Sequence, residues 1–262
     1  MNIKILTGIR GLILDMDGVL WRDRTPIGDL SAIFTEIKRR KLKVVLATNN
    51  ATLRAEQYVQ KLAGFGVQVS LEQIVNSAQA VANYLLERHP RGGPVYVVGE
   101  QGVVEELAAH GFHQSEEQPL AVVVGLDRQI TYEKLLKACL LIRAGTPFIG
   151  TNPDKTLPVP AGLAPGAGAF VAAVQAATDQ TPVMIGKPEP ELYLQAMKRM
   201  RLPAQEVLVV GDRLETDIAG AQRLGCRTGL VLSGVTTAEQ AAAWRPELDY
   251  IADDLSSLLE LL

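Results

Sequence analysis

Short, continuously apolar segments alternate along the chain with helical patterns, and this alternation constrains the fold more than any other feature. Strands that are apolar on both faces belong to a parallel sheet that helices cover on both sides. The sequence therefore predicts an α/β fold built on a doubly wound parallel sheet. Strands are predicted at 12–15, 43–48, 95–99, 121–125, 147–150, 183–186, 207–211 and 228–232. Helices are predicted near 29–40, 52–63, 71–88, 101–110, 131–144, 167–178, 189–200, 215–224, 236–244 and 253–261.

The predicted strands are more numerous than a minimal doubly wound core needs, which indicates a second α/β unit inserted in the middle of the chain. We place the core at 1–80 and 184–262, and the inserted unit at 81–183. Two stretches rich in proline and glycine, 89–94 and 153–166, are predicted to be loops. Neither has the pattern of a flexible linker between independent domains.

The charge and hydropathy of the chain argue against two classes of partner. A formal net charge of −3 gives no basic surface of the kind that nucleic acid needs. The apolar runs, such as 121–126, are far shorter than the roughly 20 residues of a membrane span, so no membrane is expected as a partner. No leader pattern stands at the start of the sequence. We therefore expect a cytoplasmic protein in which Cys139 and Cys226 are free thiols.

Polar residues follow several of the predicted strands at the point where each strand ends. Ligands of an open parallel sheet bind beyond the carboxyl ends of its strands, so these side chains are candidates for one site. They come from four separate segments of the chain. The candidates are Asp15 and Asp17, then Thr48, Asn49 and Asn50, then Lys187, and finally Asp212 and Asp217.

Each candidate taken alone has a structural explanation as a helix cap or a turn residue. Their conjunction does not, because several carboxylates at one site repel one another unless a cation offsets their charge. A set of oxygen ligands without histidine or cysteine is the set that hard cations prefer. The sequence therefore predicts a Mg²⁺ site.

Other nucleotide and hydrolase motifs are absent from the sequence. A phosphate-binding loop of the Walker type would need glycine at 181 and serine or threonine at 188, where the chain has Thr181 and Pro188. The segment GAGAF at 166–170 lacks the third glycine of a dinucleotide fingerprint. Ser233 has Val231 where a nucleophile elbow requires glycine.

The segments DMDGVLW, ATNN, GKPEP and GDRLETDI resemble, in order, the four motifs of the haloacid dehalogenase superfamily of phosphohydrolases. The long segment between the second and third motifs resembles the cap of subfamily IIA. That subfamily includes NagD-type nucleotide phosphatases, 4-nitrophenylphosphatases and phosphoglycolate phosphatases. The resemblance covers essentially the whole chain. It implies a Rossmann-like core with an inserted large α/β cap, and Mg²⁺-dependent hydrolysis of a small phosphorylated metabolite through an aspartyl-phosphate.

The resemblance also implies roles for the motif residues. Asp15 would be the nucleophile, and Asp17 the general acid and then the general base. Thr48, the Asn49 amide and Lys187 would bind the phosphoryl group. The implied Mg²⁺ ligands are the Asp15 carboxylate, the Asp17 backbone carbonyl and Asp212, with Asp217 and Asn50 in supporting positions.

The implied cap would shield the site from water and supply specificity contacts. Asn152 and Asp154 are candidates for contact with substrate, although a structural Asx turn before Pro153 explains them equally well. Gln129 stands where the similar pyridoxal phosphate phosphatases carry a histidine, which makes pyridoxal phosphate a less favoured substrate. The resemblance further implies a possible homodimer through the cap.

Two other functions stay open on the same fold. A phosphotransferase or phosphomutase would use the same residues and pass the phosphoryl group to an acceptor other than water. A non-catalytic protein that binds a phosphorylated ligand would be expected to have lost Asp15 or Asp17, and both are present. Nucleotides, phosphoglycolate, glycerol phosphate and sugar phosphates all remain candidate substrates.

Overall fold

A computed structural model of the protein describes residues 8–159 and 161–262. The chain divides into two compact units. The first contains the described residues up to Thr48 together with Glu56–Val75 and Lys187–Leu262. The second contains Asn49–Ala55 and Asn76–Gly186. The second unit is therefore wider at both ends than the inserted unit placed at 81–183, and it includes a short separate segment after Thr48.

Strands and helices alternate along most of the described chain. The strands are β1 (Gly11–Leu14), β2 (Trp21–Arg22), β3 (Thr25–Pro26), β4 (Lys43–Thr48), β5 (Ile74–Asn76), β6 (Gly93–Val98), β7 (Phe112–Gln114), β8 (Val122–Val124), β9 (Phe148–Gly150), β10 (Thr156–Val159), β11 (Gly162–Pro165), β12 (Val183–Met184), β13 (Val207–Gly211), β14 (Arg227–Val231) and β15 (Tyr250–Ala252). The α-helices are α1 (Leu30–Arg39), α2 (Ala55–Gly64), α3 (Ser77–Arg88), α4 (Gln101–Ala109), α5 (Tyr132–Arg143), α6 (Ala167–Thr178), α7 (Glu191–Met200), α8 (Ala219–Arg223), α9 (Ala238–Ala243) and α10 (Leu255–Glu260).

The first unit is built on a six-stranded sheet in the order β15-β14-β13-β1-β4-β5. The central strand β1 is parallel to β13 on one side and to β4 on the other, and its Leu14 lies beside Val210 and Leu46. Strands β14 and β15 continue the parallel arrangement beyond β13. Every residue of β1 and β13 is buried. Because β13, β1 and β4 are parallel, their carboxyl ends lie at the same edge of the sheet. The residues that follow these strands are therefore close together, as predicted for a doubly wound sheet.

The second unit has its own five-stranded sheet, in the order β12-β9-β8-β6-β7, and each recorded pairing in it is parallel. Strands β8 and β9 and helices α5 and α6 share one apolar core, which includes Val122, Val124, Ile142, Phe148 and Val174. An antiparallel pair, β10 and β11, precedes α6. The predicted α/β fold class is therefore confirmed in both units.

Each predicted strand and each predicted helix overlaps an observed one, but two of the predicted helices begin differently in the structure. The predicted helix 71–88 is wrong in its first third: a 3₁₀ turn at Leu71–Gln73 and strand β5 precede α3. The helix begins after Asn76, because the Asn76 side chain accepts a hydrogen bond from the Gln79 N–H and so caps the first turn. The predicted helix 215–224 begins instead with a π-helical turn at Leu214–Ile218.

The predicted loop 153–166 contains the strands β10 and β11. A two-stranded ribbon leaves one edge of each strand unpaired, so it tolerates prolines that lack an N–H donor. Among the described residues, no helix is both long enough and apolar enough to cross a membrane. Cys139 and Cys226 are both free thiols.

Candidate active site

A buried lysine connects the ends of two central strands in the first unit. Lys187 Nζ donates hydrogen bonds to Asp15 Oδ1 at 2.6 Å, to Asp217 Oδ1 at 2.6 Å and to the Ala47 carbonyl oxygen at 2.8 Å. Asp15 directly follows β1, Ala47 lies in β4, and Asp217 lies in the π-helical turn after β13. An ammonium group has three hydrogens, so these three bonds use all of its donors. The lysine therefore fixes Asp15 relative to β4 and to the turn.

The combined effect of burial and of the charges within this group is to raise the pKa of Lys187 and also the pKa of Asp15. Burial alone would lower the pKa of Lys187, but the carboxylates of Asp15 and Asp217 outweigh burial and raise it. Burial, together with the charges of Asp217 and Asp212, raises the pKa of Asp15 above its usual range against the opposing effect of Lys187. One buried cation thus faces three carboxylates, and the site carries an excess of negative charge.

The three carboxylates lie close enough together to bind one cation. Asp15, Asp212 and Asp217 each place an oxygen within 4.8 Å of the other two. Asp212 Oδ2 accepts a hydrogen bond from the Val235 N–H at 2.8 Å, whereas its Oδ1 is buried and has no hydrogen-bond partner among the described residues. Burial, and next the charge of Asp217, raise the pKa of Asp212 to about 7. A buried carboxylate oxygen without a donor is costly unless a cation binds it.

The donor set at this site fits a hard divalent cation such as Mg²⁺, which takes oxygen ligands. Asp217 differs from the other two carboxylates because both of its oxygens already accept hydrogen bonds, Oδ1 from Lys187 and Oδ2 from the Arg213 N–H at 3.1 Å. This geometry suits the supporting position predicted for Asp217. Asp212 Oδ1, which is buried and accepts no hydrogen bond from the described residues, is therefore the oxygen that a bound cation would stabilise most.

The turn after β1 brings the backbone of the first motif against Asp212. Gly18 has a φ of +86°, and a Cβ at this position would lie 2.5 Å from Asp212 Oδ2. The Ser233 hydroxyl donates to the Gly18 carbonyl oxygen at 2.7 Å and so holds the turn from the other side. Only glycine combines this backbone conformation with this close approach.

Thr48 ends β4 and is buried beside an aromatic residue that the sequence analysis did not single out. The Tyr58 hydroxyl and the Thr48 side chain share a hydrogen bond. Burial, and then the charges of Asp17 and Asp15, raise the pKa of Tyr58 well above its usual value, so the phenol stays neutral. Tyr58 therefore links the predicted phosphate-binding threonine to helix α2.

A second residue missed by the sequence analysis is Trp21, which contacts the predicted general acid. Its indole Nε1 donates to Asp17 Oδ1 at 2.8 Å. A sequence signal existed, because a tryptophan in an apolar segment needs an acceptor for its N–H and Asp17 stands four residues before it. Spacing alone does not identify that acceptor.

Three of the predicted residues come together within the second unit. The Asn49 side-chain amide donates to Asp154 Oδ2 at 3.0 Å, and the Asn152 side-chain amide donates to the Asn49 carbonyl oxygen at 2.7 Å. The Asp154 N–H donates to Asn152 Oδ1 at 3.1 Å, which is the Asx turn given above as the structural alternative. Their roles toward substrate stay predictions.

The remaining two candidates lie in local turns. Asn50 Oδ1 accepts from the Thr52 N–H at 2.9 Å and from the Thr52 hydroxyl at 2.7 Å, which shapes the segment before α2. Gln129 is exposed in the loop between β8 and α5, where its backbone N–H donates to the buried Asp127 at 2.8 Å. The structure thus gives Asn50 a structural function and leaves the Gln129 side chain at the surface.

Comparison with known proteins places this geometry in a family. Residues 12–113 match the family model described as haloacid dehalogenase-like hydrolase, and residues 184–258 match one described as HAD-hydrolase-like. The chain is 38% identical to a D-glycerol 3-phosphate phosphatase of Mycobacterium tuberculosis over 94% of its own length and 70% of that protein. It is 35% identical to the 5′-nucleotidase YutF of Bacillus subtilis over 88% of its own length and 90% of that protein.

The fold is also similar to that of a solved structure. A glycerol phosphate phosphatase from M. tuberculosis, solved in complex with magnesium, superposes with a TM-score of 0.88 at 36% identity. The match covers 97% of this chain and 77% of that one. With the two family models spanning more than half of the residues, the chain belongs to the haloacid dehalogenase-like hydrolases.

Proposed function

We propose that this protein is a Mg²⁺-dependent phosphatase that hydrolyses small phosphomonoesters through an aspartyl-phosphate formed on Asp15. The observation that carries the proposal is the buried group in which Lys187 bridges Asp15 and Asp217 beside Asp212. It combines a nucleophilic carboxylate, a fixed cation and carboxylates suited to a metal ion, which is what phosphoryl transfer requires. The similar glycerol 3-phosphate phosphatase and 5′-nucleotidase support the reaction class.

The residues of the first unit divide the chemistry between them. An oxygen of Asp15 forms a bond to phosphorus while the bond from phosphorus to the leaving oxygen breaks. Asp17 gives a proton to the leaving oxygen, and in the second half-reaction it takes a proton from the attacking water. Lys187 holds Asp15 Oδ1 and offsets part of the repulsion between that carboxylate and the phosphate. Thr48 donates a hydrogen bond to a phosphoryl oxygen.

The metal ligands in this proposal are the Asp15 carboxylate, the Asp17 backbone carbonyl and Asp212, with Asp217 in support. A divalent cation bound there would offset the charge of the carboxylates and of the phosphoryl oxygens. The magnesium complex of the similar glycerol phosphate phosphatase supports Mg²⁺ as the ion. We expect chelation by EDTA to abolish hydrolysis and added Mg²⁺ to restore it.

Further elements of the proposal concern the second unit and the substrate. We propose that the first unit is the catalytic core and that the second, placed from sequence at 81–183, is the cap of a cytoplasmic enzyme. Contacts of Asn49, Asn152, Asp154 and Gln129 with substrate are part of this proposal. The names of the similar proteins point to different phosphomonoesters, so the substrate is proposed only as a small phosphorylated metabolite. A panel of phosphomonoesters ranked by kcat/KM identifies it, and a flat ranking would indicate a generalist.

Homodimerisation through the second unit is also proposed. Helix α5 exposes three apolar side chains at intervals of four residues, Tyr132, Leu136 and Leu140. Residues at this spacing lie on one face of a helix. An exposed apolar face supports an interface between two copies of the chain.

The proposed reaction is tested with Asp15→Asn, because an amide cannot act as the nucleophile. We expect this variant to lose hydrolysis of 4-nitrophenyl phosphate in the presence of Mg²⁺, and Asp23→Asn, an exposed aspartate of the same segment, to keep it. Hydrolysis by Asp15→Asn at the wild-type rate would contradict the mechanism. Transfer of the phosphoryl group to an added alcohol without release of phosphate would instead identify a phosphotransferase.

A further inference from the structure

The indole of Trp21 closes the turn that carries Asp17. Its Nε1 donates to Asp17 Oδ1 at 2.8 Å, and the Trp21 carbonyl oxygen accepts from the Gly18 N–H, also at 2.8 Å. Trp21 is completely buried, whereas Asp17 is only partly buried. One oxygen of the Asp17 carboxyl group, Oδ1, is therefore held in place by the hydrogen bond from Trp21.

Two side chains pack against the Trp21 ring and restrict its rotation, so the indole N–H stays directed at Asp17. Lys61 Nζ lies 3.9 Å from the ring centroid and donates to the Asp23 carbonyl oxygen at 2.8 Å. The Phe65 ring packs against the indole with a centroid separation of 6.1 Å. A cation over the face of an indole is attracted to its π system, so Lys61 stabilises this ring position.

The chemistry of the indole decides which oxygen of Asp17 can carry a proton. Indole Nε1–H is only a donor, and a protonated carboxyl has one accepting oxygen and one hydroxyl. An oxygen that accepts the indole hydrogen in both protonation states is the carbonyl oxygen when Asp17 is protonated. The proton then resides on Oδ2, and the Trp21 bond survives its transfer unchanged.

We propose that Trp21 is a positioning residue that holds Asp17 Oδ1 as an acceptor, so that Oδ2 delivers the proton to the leaving alcohol. This inference rests on the proposed phosphatase function. In the first step an Asp15 oxygen bonds to phosphorus and the electron pair of the broken phosphorus–oxygen bond stays on the leaving oxygen. That oxygen takes the proton from Asp17 Oδ2, which leaves Asp17 as a carboxylate. In the second step water bonds to phosphorus, gives a proton to Oδ2, and the Asp15 oxygen departs.

The requirement for this proton depends on the leaving group, and that dependence separates positioning from simple packing. An alkoxide is a strong base and leaves slowly unless it is protonated as the bond breaks. 4-Nitrophenolate is a much weaker base and leaves without a proton. A disturbed general acid therefore slows the hydrolysis of alkyl phosphates far more than that of 4-nitrophenyl phosphate.

The test compares Trp21→Phe with Trp244→Phe. Trp244 is a matched control, because its Nε1 also donates to a side-chain oxygen, Gln222 Oε1 at 3.1 Å, but that oxygen belongs to an amide and not to a carboxylate of the site. The readout is kcat/KM, which reports the first chemical step, for 4-nitrophenyl phosphate and for the alkyl phosphomonoester that the wild type hydrolyses fastest. We expect Trp21→Phe to lower the alkyl value by about tenfold or more and the nitrophenyl value by less than about threefold. Trp244→Phe should leave the ratio of the two values unchanged.

A second measurement covers the case in which Trp21→Phe does not fold. The chain has only two tryptophans, so in the Trp244→Phe background a tryptophan auxotroph fed benzothienylalanine replaces Trp21 alone. That analogue keeps the size of the indole but has sulfur in place of N–H. We expect it to give the same selective loss for the alkyl substrate.

Equal losses for the two substrates, in either form of the protein, would overturn the positioning role while leaving the phosphatase function intact. A wild type that hydrolyses neither substrate would overturn the proposed function and this inference with it. The two failures are therefore distinguishable.

Discussion

At the scale of single residues, the site depends on the balance of charge around Lys187. The side chain is almost fully buried, with 3% of its surface exposed, and all three of its hydrogens are bonded to protein oxygens. Two of its partners, Asp15 and Asp217, are carboxylates that also lie near Asp212. Removing one partner of a buried ion pair destabilises the folded state by more than the intact pair stabilises it, because the remaining charge stays buried without compensation. Lys187 should therefore matter to folding as well as to chemistry.

Replacing Lys187 tests this balance. We expect Lys187→Met to lower the free energy of unfolding by about 3–5 kcal/mol, because two carboxylates lose their cation. Hydrolysis of 4-nitrophenyl phosphate should fall at least about 100-fold. Denaturant unfolding and steady-state kinetics measure the two effects.

The controls separate charge from packing. Lys43→Met removes a lysine whose Nζ donates to the Met200 carbonyl oxygen, and we expect a much smaller loss of stability. Adding Asp217→Asn to Lys187→Met removes one uncompensated carboxylate, so it should recover part of the stability but none of the activity. A Lys187→Met protein as stable as the wild type would contradict the charge argument.

The pKa of Asp212 predicts how the metal-free protein responds to pH. Burial and the charge of Asp217 raise it to about 7 in the folded protein, against about 4 in an unfolded chain. Between these values the folded state binds more protons than the unfolded state, so this group makes the free energy of unfolding fall as pH rises. We expect the thermal midpoint of EDTA-treated protein to show this contribution between about pH 4 and pH 7.

Asp212→Asn provides the comparison for that measurement, because it cannot titrate. Its thermal midpoint should fall less steeply with pH than that of the wild type over the same range. Added Mg²⁺ should oppose the fall in the wild type, because a cation favours the ionised carboxylate. Equal slopes for the two proteins in EDTA would show that Asp212 does not titrate in this range.

At the scale of elements, the turn between β1 and β2 is constrained both by its own backbone conformation and by the Asp212 side chain beside it. Gly18 needs a positive φ, and a side chain there would press on Asp212. We expect Gly18→Ala to raise the Mg²⁺ concentration needed for half-maximal activity, because the new methyl group displaces Asp212 Oδ2. Titration of activity with Mg²⁺ measures the change.

Gly28→Ala is the matched control for the turn. Gly28 also has a positive φ, of +70°, but a Cβ there would lie at an ordinary 3.6 Å from Ile33. Both variants should lose about 1–2 kcal/mol of stability from the backbone conformation, and only Gly18→Ala should change the Mg²⁺ requirement. Equal Mg²⁺ titrations of the two variants would refute the contact with Asp212.

The elements that sequence patterns predicted well are those with a long, one-sided or fully apolar pattern. Strands β4 and β13 and helix α6 have the predicted bounds. Strand β5 was missed because Ile74–Asn76 stands directly before a helical pattern, and three residues are too few to show a period of two. Strands β10 and β11 were missed because their prolines and glycines are typical of loops.

At the scale of the whole molecule, parallel topology explains why most of the site was predictable. Asp15, Thr48 and Asp212 could be assigned to one sheet edge, because the carboxyl ends of the parallel strands β1, β4 and β13 meet there. The position of Lys187 does not follow from this argument, because the strand before it, β12, belongs to the sheet of the second unit. The partner of each side chain could not be assigned. Lys187 donates hydrogen bonds to Ala47 and Asp217, and Trp21 donates one to Asp17. These pairings depend on how the side chains pack in the folded structure, which the sequence pattern does not show.

The last prediction concerns the assembly of two copies of the chain through the exposed face of α5. We expect light scattering at micromolar concentration to give the mass of a dimer, because Tyr132, Leu136 and Leu140 expose 74%, 44% and 56% of their surfaces on one helix face. Leu140→Glu places a charge in that face and should give a monomer, since an unpaired buried charge is unfavourable. Leu194→Glu, at an equally exposed leucine of α7 in the first unit, should leave the dimer intact. A monomeric wild type would remove the dimer proposal, and a dimeric Leu140→Glu protein would exclude α5 as its interface.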